Sequence, residues 1–524
     1  MMPAPRPPAP AGLPLLGNGP SFIRDAMGTL WRAHAELGPV FSLKLGPKRM
    51  VVITSPADAQ GVVNLPESTL SLRPVYRWVI PMFGEVLQAA PYESYVDQRD
   101  MMLPALRAKN LPNYLVSMVH ETGEWLNTLG EAGVFDATRG LERLSMSIAV
   151  RSFLGEDFLH RSGEYFWRQY LDLAEGMEIL LPPKLPLPRL IRRDRARDRL
   201  FTLLLPKAAE ARIDPDPDAY GFLAHLVSGR YADGSPVTDE EVVGLILSLV
   251  FAAYETTAAQ LAWALVLLLQ HPEQLKQVVA EVDEAPAEPT PGSLHAMRRL
   301  QWNLREAERL RPITTMLWRY TEKAYKVGGY SVPAGWFTVL CPPITHRSPE
   351  VYDSPGDYDP DRFSPDRDPS GRAAATLINL GGGQHRCLGA RFAESEMKVV
   401  LSMLLRSHSL SLVEQDPPPS KKMGISRPAS PAWWPTSGAS PPCRWTRPTW
   451  GGWRERRDDR GRGAAQVLRE EGRGRGRVVQ RAGRHRARAA RAERRGQDDG
   501  DQLPVHPAAA GRRSRDGRRA RRAG

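Results

Sequence analysis

Residues Leu377–Lys398 read LINLGGGQHRCLGARFAESEMK. Three consecutive glycines, Gly381 to Gly383, allow a tight turn and a close backbone approach to a flat ligand that side chains would obstruct. His385 and Arg386 place positive charge just before Cys387. The amphipathic stretch after Gly389 reads as a helix, and its N-terminus helps hold a thiolate. A lone cysteine is most often a small buried hydrophobe. The glycine turn, the basic pair and the following helix shift the reading toward a thiolate that ligates a metal cofactor.

These residues resemble the haem-binding signature of the cytochrome P-450 superfamily, an aromatic residue followed by G-x-G-x-H-x-C-x-G. Gly381, Gly383, His385, Cys387 and Gly389 match it, and Leu380 stands at the aromatic position. The resemblance implies haem b (iron protoporphyrin IX) as cofactor and Cys387 as the metal ligand. The implied fold is the cytochrome P-450 fold, mainly α with small β-sheets (α+β) and a long central helix over the haem.

The chain has 524 residues, enough for a large core, and three cysteines, Cys341, Cys387 and Cys443. So few cysteines offer no disulfide framework and suit a reducing compartment. The N-terminal run MMPAPRPPAPAGLPLLGNGP is proline-rich and lacks the apolar stretch of a signal peptide or anchor. A cytoplasmic protein without a membrane anchor is therefore expected. Of the net charge of +12, the segment from Trp433 carries +15 (25 Arg, no Lys, 10 Asp plus Glu), leaving −3 on the body. That balance predicts no specific nucleic-acid surface on residues 1–432.

Along the body, Phe41 to Ile53 reads as a hairpin around Gly46-Pro47. Most of the chain beyond it has helical period, with a second strand-rich patch from Tyr325 to Leu340. The longest apolar run, Val242 to Leu269, opens on Thr238-Asp239-Glu240-Glu241, a capping-box pattern. Polar Glu255, Thr256, Thr257 and Gln260 interrupt it, so a buried central helix is a better reading than a membrane span.

That interruption, FAAYETTAAQ, is costly inside an apolar helix unless partnered. A threonine can bond back to the carbonyl one turn earlier. The run also resembles the oxygen-activation segment A-G-x-D/E-T-T of the family, with Ala253 in place of Gly. The resemblance makes Thr256 and Glu255 catalytic: Thr256 bonds the oxygen being activated, and Glu255 relays protons. A third run, REAERLRPITTMLWRY, places Glu306 and Arg309 one helical turn apart, where they can pair. Glu308 and Arg311 share that spacing; Pro312 favours Glu306, by analogy with E-x-x-R-x-x-P. The segment YDPDRF is similar to F-x-P-x-R-F and adds Arg362 to an implied structural network of Glu306, Arg309 and Arg362.

By resemblance, Arg319 and His385 bind the haem propionates, and Tyr95 and Arg99 stand where the family has W-x-x-x-R. A solvated helix face is the alternative for Tyr95 and Arg99. The segment Val75 to Pro91 looks like the substrate-side loop Y-x-x-x-x-P-x-F-G-x-x-V of sterol 14α-demethylases. Tyr76, Pro81, Phe83 and Gly84 match, with Leu87 for Val. Tyr76, Phe83 and Met82 would then line the substrate pocket, and ordinary core residues are the alternative. Demethylases of that branch carry His where this chain has Glu255. The expectation is a monooxygenase that inserts one atom of O2 into a C–H bond of a sterol, terpenoid or polyketide-like molecule. No flavin or nicotinamide region accompanies the body, so electrons are expected from a ferredoxin and a ferredoxin reductase. A non-catalytic haem protein that binds lipids or gases is the alternative.

The resemblance ends near Ala432, giving a haem domain at 1–432 and an Arg-rich tail at 433–524. The tail has too little apolar content to fold and reads literally as a basic arm for nucleic acid or anionic membrane. Arg, Gly, Ala and Pro without Lys is also what GC-rich DNA yields in a wrong frame. RAERRGQDDG, Arg491 to Gly500, permits codons that read GPNGAGKTT after a one-base shift, similar to the phosphate loop of ABC-transporter ATPases.

Overall fold

The long apolar run folds as one helix, and the rest of the body is arranged around it. In the computed structural model, described residues are 4–107, 110–178, 182, 185–216, 220–369, 376–419 and 426–428, plus the backbone of 442–446. All belong to one compact unit, Met1–Pro448. Apart from the backbone of 442–446, the expected tail lies outside the described residues.

Eight helices carry the argument: α1 (Tyr92–Met102), α2 (Leu111–Leu129), α3 (Ala137–Leu154), α4 (Glu156–Glu175), α5 (Pro188–Ile213), α6 (Asp239–Gln270), α7 (Arg298–Leu310) and α8 (Ala390–Ser407). The central helix α6 starts where the sequence predicts. Thr238 Oγ1 accepts the Glu241 N–H, and Glu241 Oε2 accepts the Thr238 N–H at 2.9 Å. Three acids in its first turn complement the helix dipole. Its length and composition would suffice to cross a membrane. It is instead a core helix: Leu245, Ile246, Leu261, Trp263 and Leu268 are buried. Helices α3, α5, α7 and α8 pack against it. At Gly244 an added Cβ would lie 2.1 Å from Phe83 O, so the short helix Ile80–Phe83 presses its backbone onto α6.

The main sheet is β1 (Val40–Leu45), β2 (Lys48–Ile53), β3 (Leu70–Ser71), β5 (Leu317–Thr321) and β8 (Phe337–Leu340), ordered β1-β2-β8-β5-β3. The predicted hairpin is in register from Val40↔Ile53 to Leu45↔Lys48. Between β5 and β8, β6 (Tyr325–Val327) and β7 (Tyr330–Val332) turn at Gly328 and Gly329, both with positive φ, as the strand-rich patch predicts. Strand β5 itself has no alternating pattern that announced it. It places Arg319 opposite Thr338. A third sheet joins β4 (Ala132–Asp136), β10 (Pro442–Thr446) and β9 (Ser409–Leu412). The backbone of β10 pairs Cys443 with Phe135 and Leu412. The compact unit thus continues past Ala432, where the sequence reading placed the domain boundary.

Candidate haem-thiolate site

The Cys387 loop is closed by its own backbone. The Gly381 N–H donates to Ile378 O and the Cys387 N–H to Leu380 O, each at 2.8 Å. Gly381 has φ +73°, and a Cβ there would meet His385 O at 2.8 Å. Gly383 has φ +55°, and a Cβ there would meet Val63 O at 2.5 Å. Both positions need glycine for conformation and for space. Helix α8 begins directly after Gly389. The Cys387 side chain is accessible. Even so, the surrounding protein raises the thiol above its ordinary pKa by desolvation, while the Gly389 N–H, Arg99 and Arg386 work in the opposite direction. A bound cation would complete what these donors begin, since a coordinating thiol is deprotonated outright.

Helix α1 brings two predicted residues to this loop. Tyr95 is buried; its hydroxyl donates to Gln384 O at 3.2 Å and shares a 2.9 Å hydrogen bond with His385 Nδ1. Arg99 donates to Arg386 O at 2.8 Å. A merely solvated helix face does not describe either residue. His385 Nε2 reaches Glu67 Oε2 at 2.8 Å, and Tyr92 bonds the Gln384 side chain. Sequence reading missed Glu67 and Tyr92. Arg319 comes from β5 on the other side. Desolvation lowers its pKa, and Tyr76, Glu67 and Tyr95 act on it in the opposite sense. Tyr76 is in turn raised by desolvation and pulled down by Arg319. Arg319, Tyr76, Tyr95 and His385 therefore converge.

In α6 the polar break coincides with a break in burial. Ala252 is exposed in mid-helix, although Val250 and Ala258 are fully buried. Thr256 Oγ1 donates back to Ala252 O at 2.5 Å, the local bond that a mid-helix threonine favours. Glu255 points elsewhere, with Arg427 Nη1 3.6 Å from its carboxylate. Phe251 meets Phe83 (ring centroids 5.6 Å) and Trp78 (6.4 Å). Of the predicted pocket residues, Tyr76 keeps partial exposure. Met82 and Phe83 are 0% and 2% exposed and pack in the main core, so their contribution here is packing. Trp78 and Phe251, partly exposed, form the aromatic wall that the sequence pattern did not single out.

Beneath the loop lies the predicted Glu-Arg-Arg network, in the Glu306 register. Arg309 donates Nε and Nη2 to the two Glu306 oxygens, each at 2.8 Å, and Arg362 Nε donates to Glu306 Oε1 at 3.1 Å. All three are buried, and the guanidinium groups also bond carbonyls at His346, Asp353, Pro355 and Asp357. Arg311 leaves this network and stacks over Trp263. His346, which no motif marked, extends the network to the loop. Its Nε2 accepts the Ile378 N–H at 2.9 Å, three residues before Gly381. Burial first, and Arg309 and Arg347 next, push its pKa down to about 3, so it is a neutral acceptor.

The donor set fits an iron porphyrin. Cys387 offers one accessible sulfur, with Arg319, His385 and Arg99 as cations or donors for two propionates, and with an exposed small residue, Ala252, on the covering helix. Among the described residues no cluster of three His, Cys, Asp or Glu could hold a metal unaided. The fold and this site define a haem-thiolate protein. The cytochrome P450 family model matches residues 7–435, and the chain belongs to that family. It is 30% identical over 428 residues to obtusifoliol 14-alpha demethylase of Sorghum bicolor, covering 78% of this chain and 86% of that one. Sterol 14alpha-demethylase of Mycolicibacterium vanbaalenii is 29% identical over 408 residues (76% and 90%), and human lanosterol 14-alpha demethylase 28% over 411 (77% and 80%). Retinoic acid-bound cyanobacterial CYP120A1 superposes with TM-score 0.75 at 24% identity, covering 85% of this chain and all of that one; this likeness bears on the fold. The chain is thus a monooxygenase with haem as its cofactor, drawing on O2, an apolar substrate and a redox partner.

Proposed function

We propose that this enzyme inserts one atom of O2 into a C–H bond of a large, rigid apolar molecule of sterol or terpenoid type, using electrons from a ferredoxin and its reductase. The observation that carries the substrate class is the apolar wall of Phe251 and Trp78 beside the accessible Ala252. Such a wall offers area and little hydrogen bonding, which suits a ligand recognised by burial. The identity to sterol demethylases points the same way.

When bound, the haem with its thiolate supplies oxygen activation, the thiolate pushing electron density toward O–O cleavage. The chain does the rest. Cys387 would supply the sulfur ligand, Arg319, His385, Tyr95 and Arg99 would bind the propionates, and Gly381 gives the loop its tight turn. Thr256 releases the Ala252 carbonyl to hold a proton at the reacting oxygen, and Glu255 passes protons to it. Glu255 stands where the demethylase branch has a histidine, and a carboxylate at that position can carry protons. Three scattered cysteines, with Cys341 and Cys387 free, fit a cytoplasmic setting where soluble ferredoxins operate.

Titrating the haem-loaded full chain with a panel of sterols and terpenoids tests the substrate class. A low-to-high spin shift with at least one rigid polycycle, and its hydroxylation with a surrogate ferredoxin system, is expected. A shift with fatty acids alone would overturn this reading.

A further inference from the structure

Glu255 does not stand alone on the far side of α6. Arg427, in the segment that follows β9, places Nη1 2.5 Å from Glu142 Oε1 and 3.6 Å from Glu255 Oε1. One guanidinium nitrogen therefore serves two carboxylates from different helices, α3 and α6. The side chains of Glu142 and Arg427 are both 15% exposed and that of Glu255 22%, so all three are mostly buried yet still reach solvent. The segment is fixed next to Arg427: Ser426 donates its N–H to Ile313 O and accepts the Trp263 indole N–H at 3.2 Å.

We propose that Glu142 is a second proton donor of this enzyme, handing its proton to Glu255, and that Arg427 is the positioning residue that holds the two carboxylates together. This rests on the reading of Glu255 as the proton relay. In the step, the O–H bond of protonated Glu142 breaks and an O–H bond forms on the Glu255 carboxylate, through bridging water. Glu142, now a carboxylate, takes a proton back from solvent. One Arg427 cation balances one of the two carboxylates, so a single proton is shared between Glu142 and Glu255.

The surroundings of Glu142 agree. Burial raises its pKa to about 7, Arg427 lowers it, and Glu255 and Asp136 raise it again. Tyr254 on α6 also feels both glutamates. On α4, Glu164 is engaged by Arg143, and on α2, Glu121 is engaged by Arg151. Arg139 lies within 4.0 Å of Asp136. Glu175 on α4 lies 3.8 Å from Arg192, and Asp136, just before α3, is the further acid that acts on Glu142. A carboxyl that titrates near neutrality suits proton transfer at working pH.

Difference infrared spectroscopy on the full haem-loaded chain tests the pair without turnover. A carboxylic C=O band should titrate near pH 7, vanish in Glu142→Gln and persist in the control Glu164→Gln. Arg427→Ala should move the midpoint up by at least about one pH unit, and Arg427→Lys should restore it. In the second arm, O2 consumption is driven by NADPH through a surrogate ferredoxin and reductase, with lanosterol as probe. Glu142→Gln should lower the rate by on the order of a hundredfold, enlarge the solvent isotope effect and remove the fall in rate above pH 7. The proposal is overturned if Glu142 is ionised throughout pH 5–9, or if Glu142→Gln keeps the wild-type pH profile. The infrared arm requires no product, so it still tests Glu142 if the substrate class or the electron donor is wrong.

Discussion

At the scale of single residues, the buried charges decide most. Glu306 and Arg309 are 0% exposed and Arg362 4%. Their pairing alone would barely repay desolvation, but the added carbonyl bonds satisfy what the ion pairs leave open. Arg309→Ala strands the Glu306 carboxylate and several carbonyls; it should cost about 3–5 kcal/mol in denaturant unfolding and release haem. His346 gives a pH signature. Its native pKa is about 3, against 6.5 unfolded, so the unfolded chain binds a proton that the native chain refuses between these values. Stability from this group is present above pH 6.5 and falls as pH drops, by about 1.4 kcal/mol per unit. His346→Gln should flatten that acid limb in a pH series of unfolding midpoints. Thr256→Ala should leave O2 consumption running while product falls, because a proton-holding hydroxyl is lost and the helix is not.

At the scale of elements, contact between α6 and the Ile80–Phe83 helix sets the distal wall. Gly244→Ala drives a Cβ to 2.1 Å from Phe83 O, so one backbone must shift. A loss of roughly 1–3 kcal/mol is expected, together with weaker sterol spin shifts, since Phe83 and Phe251 move apart. Elements with local signals were legible in sequence: the Thr238 capping box, the Gly46-Pro47 hairpin and the glycine turn before Cys387. Those whose placement depends on distant partners were not. Strand β5 has no period of its own and exists because β8 and β3 flank it. Met82 and Phe83 fit a pocket motif but are drawn into the core by α6, whereas Trp78 and Phe251 remain on the accessible side. His346 and Glu67 each reach the Cys387 loop through one contact across more than thirty residues of chain, which no spacing rule encodes.

At the scale of the whole molecule, two layers meet at one loop. His346 ties the Glu-Arg-Arg network to the Cys387 loop, and α8, which follows that loop, packs on α6. Residues from α1, β5 and the loop itself close the edge. The third sheet ties residues 442–446 to β4 and β9. Truncation after Ala432 removes the middle strand of that sheet and should lower the thermal midpoint by several degrees, read by haem absorbance on heating. All of this serves a single sulfur–iron bond. The most direct measurement is the absorption spectrum of the reduced, carbon monoxide-bound full chain beside Cys387→Ser. A thiolate ligand predicts a strongly red-shifted Soret band that the substitution abolishes. A Soret band at the position of histidine-ligated haem in the wild type, or a red-shifted band that survives in Cys387→Ser, would contradict it.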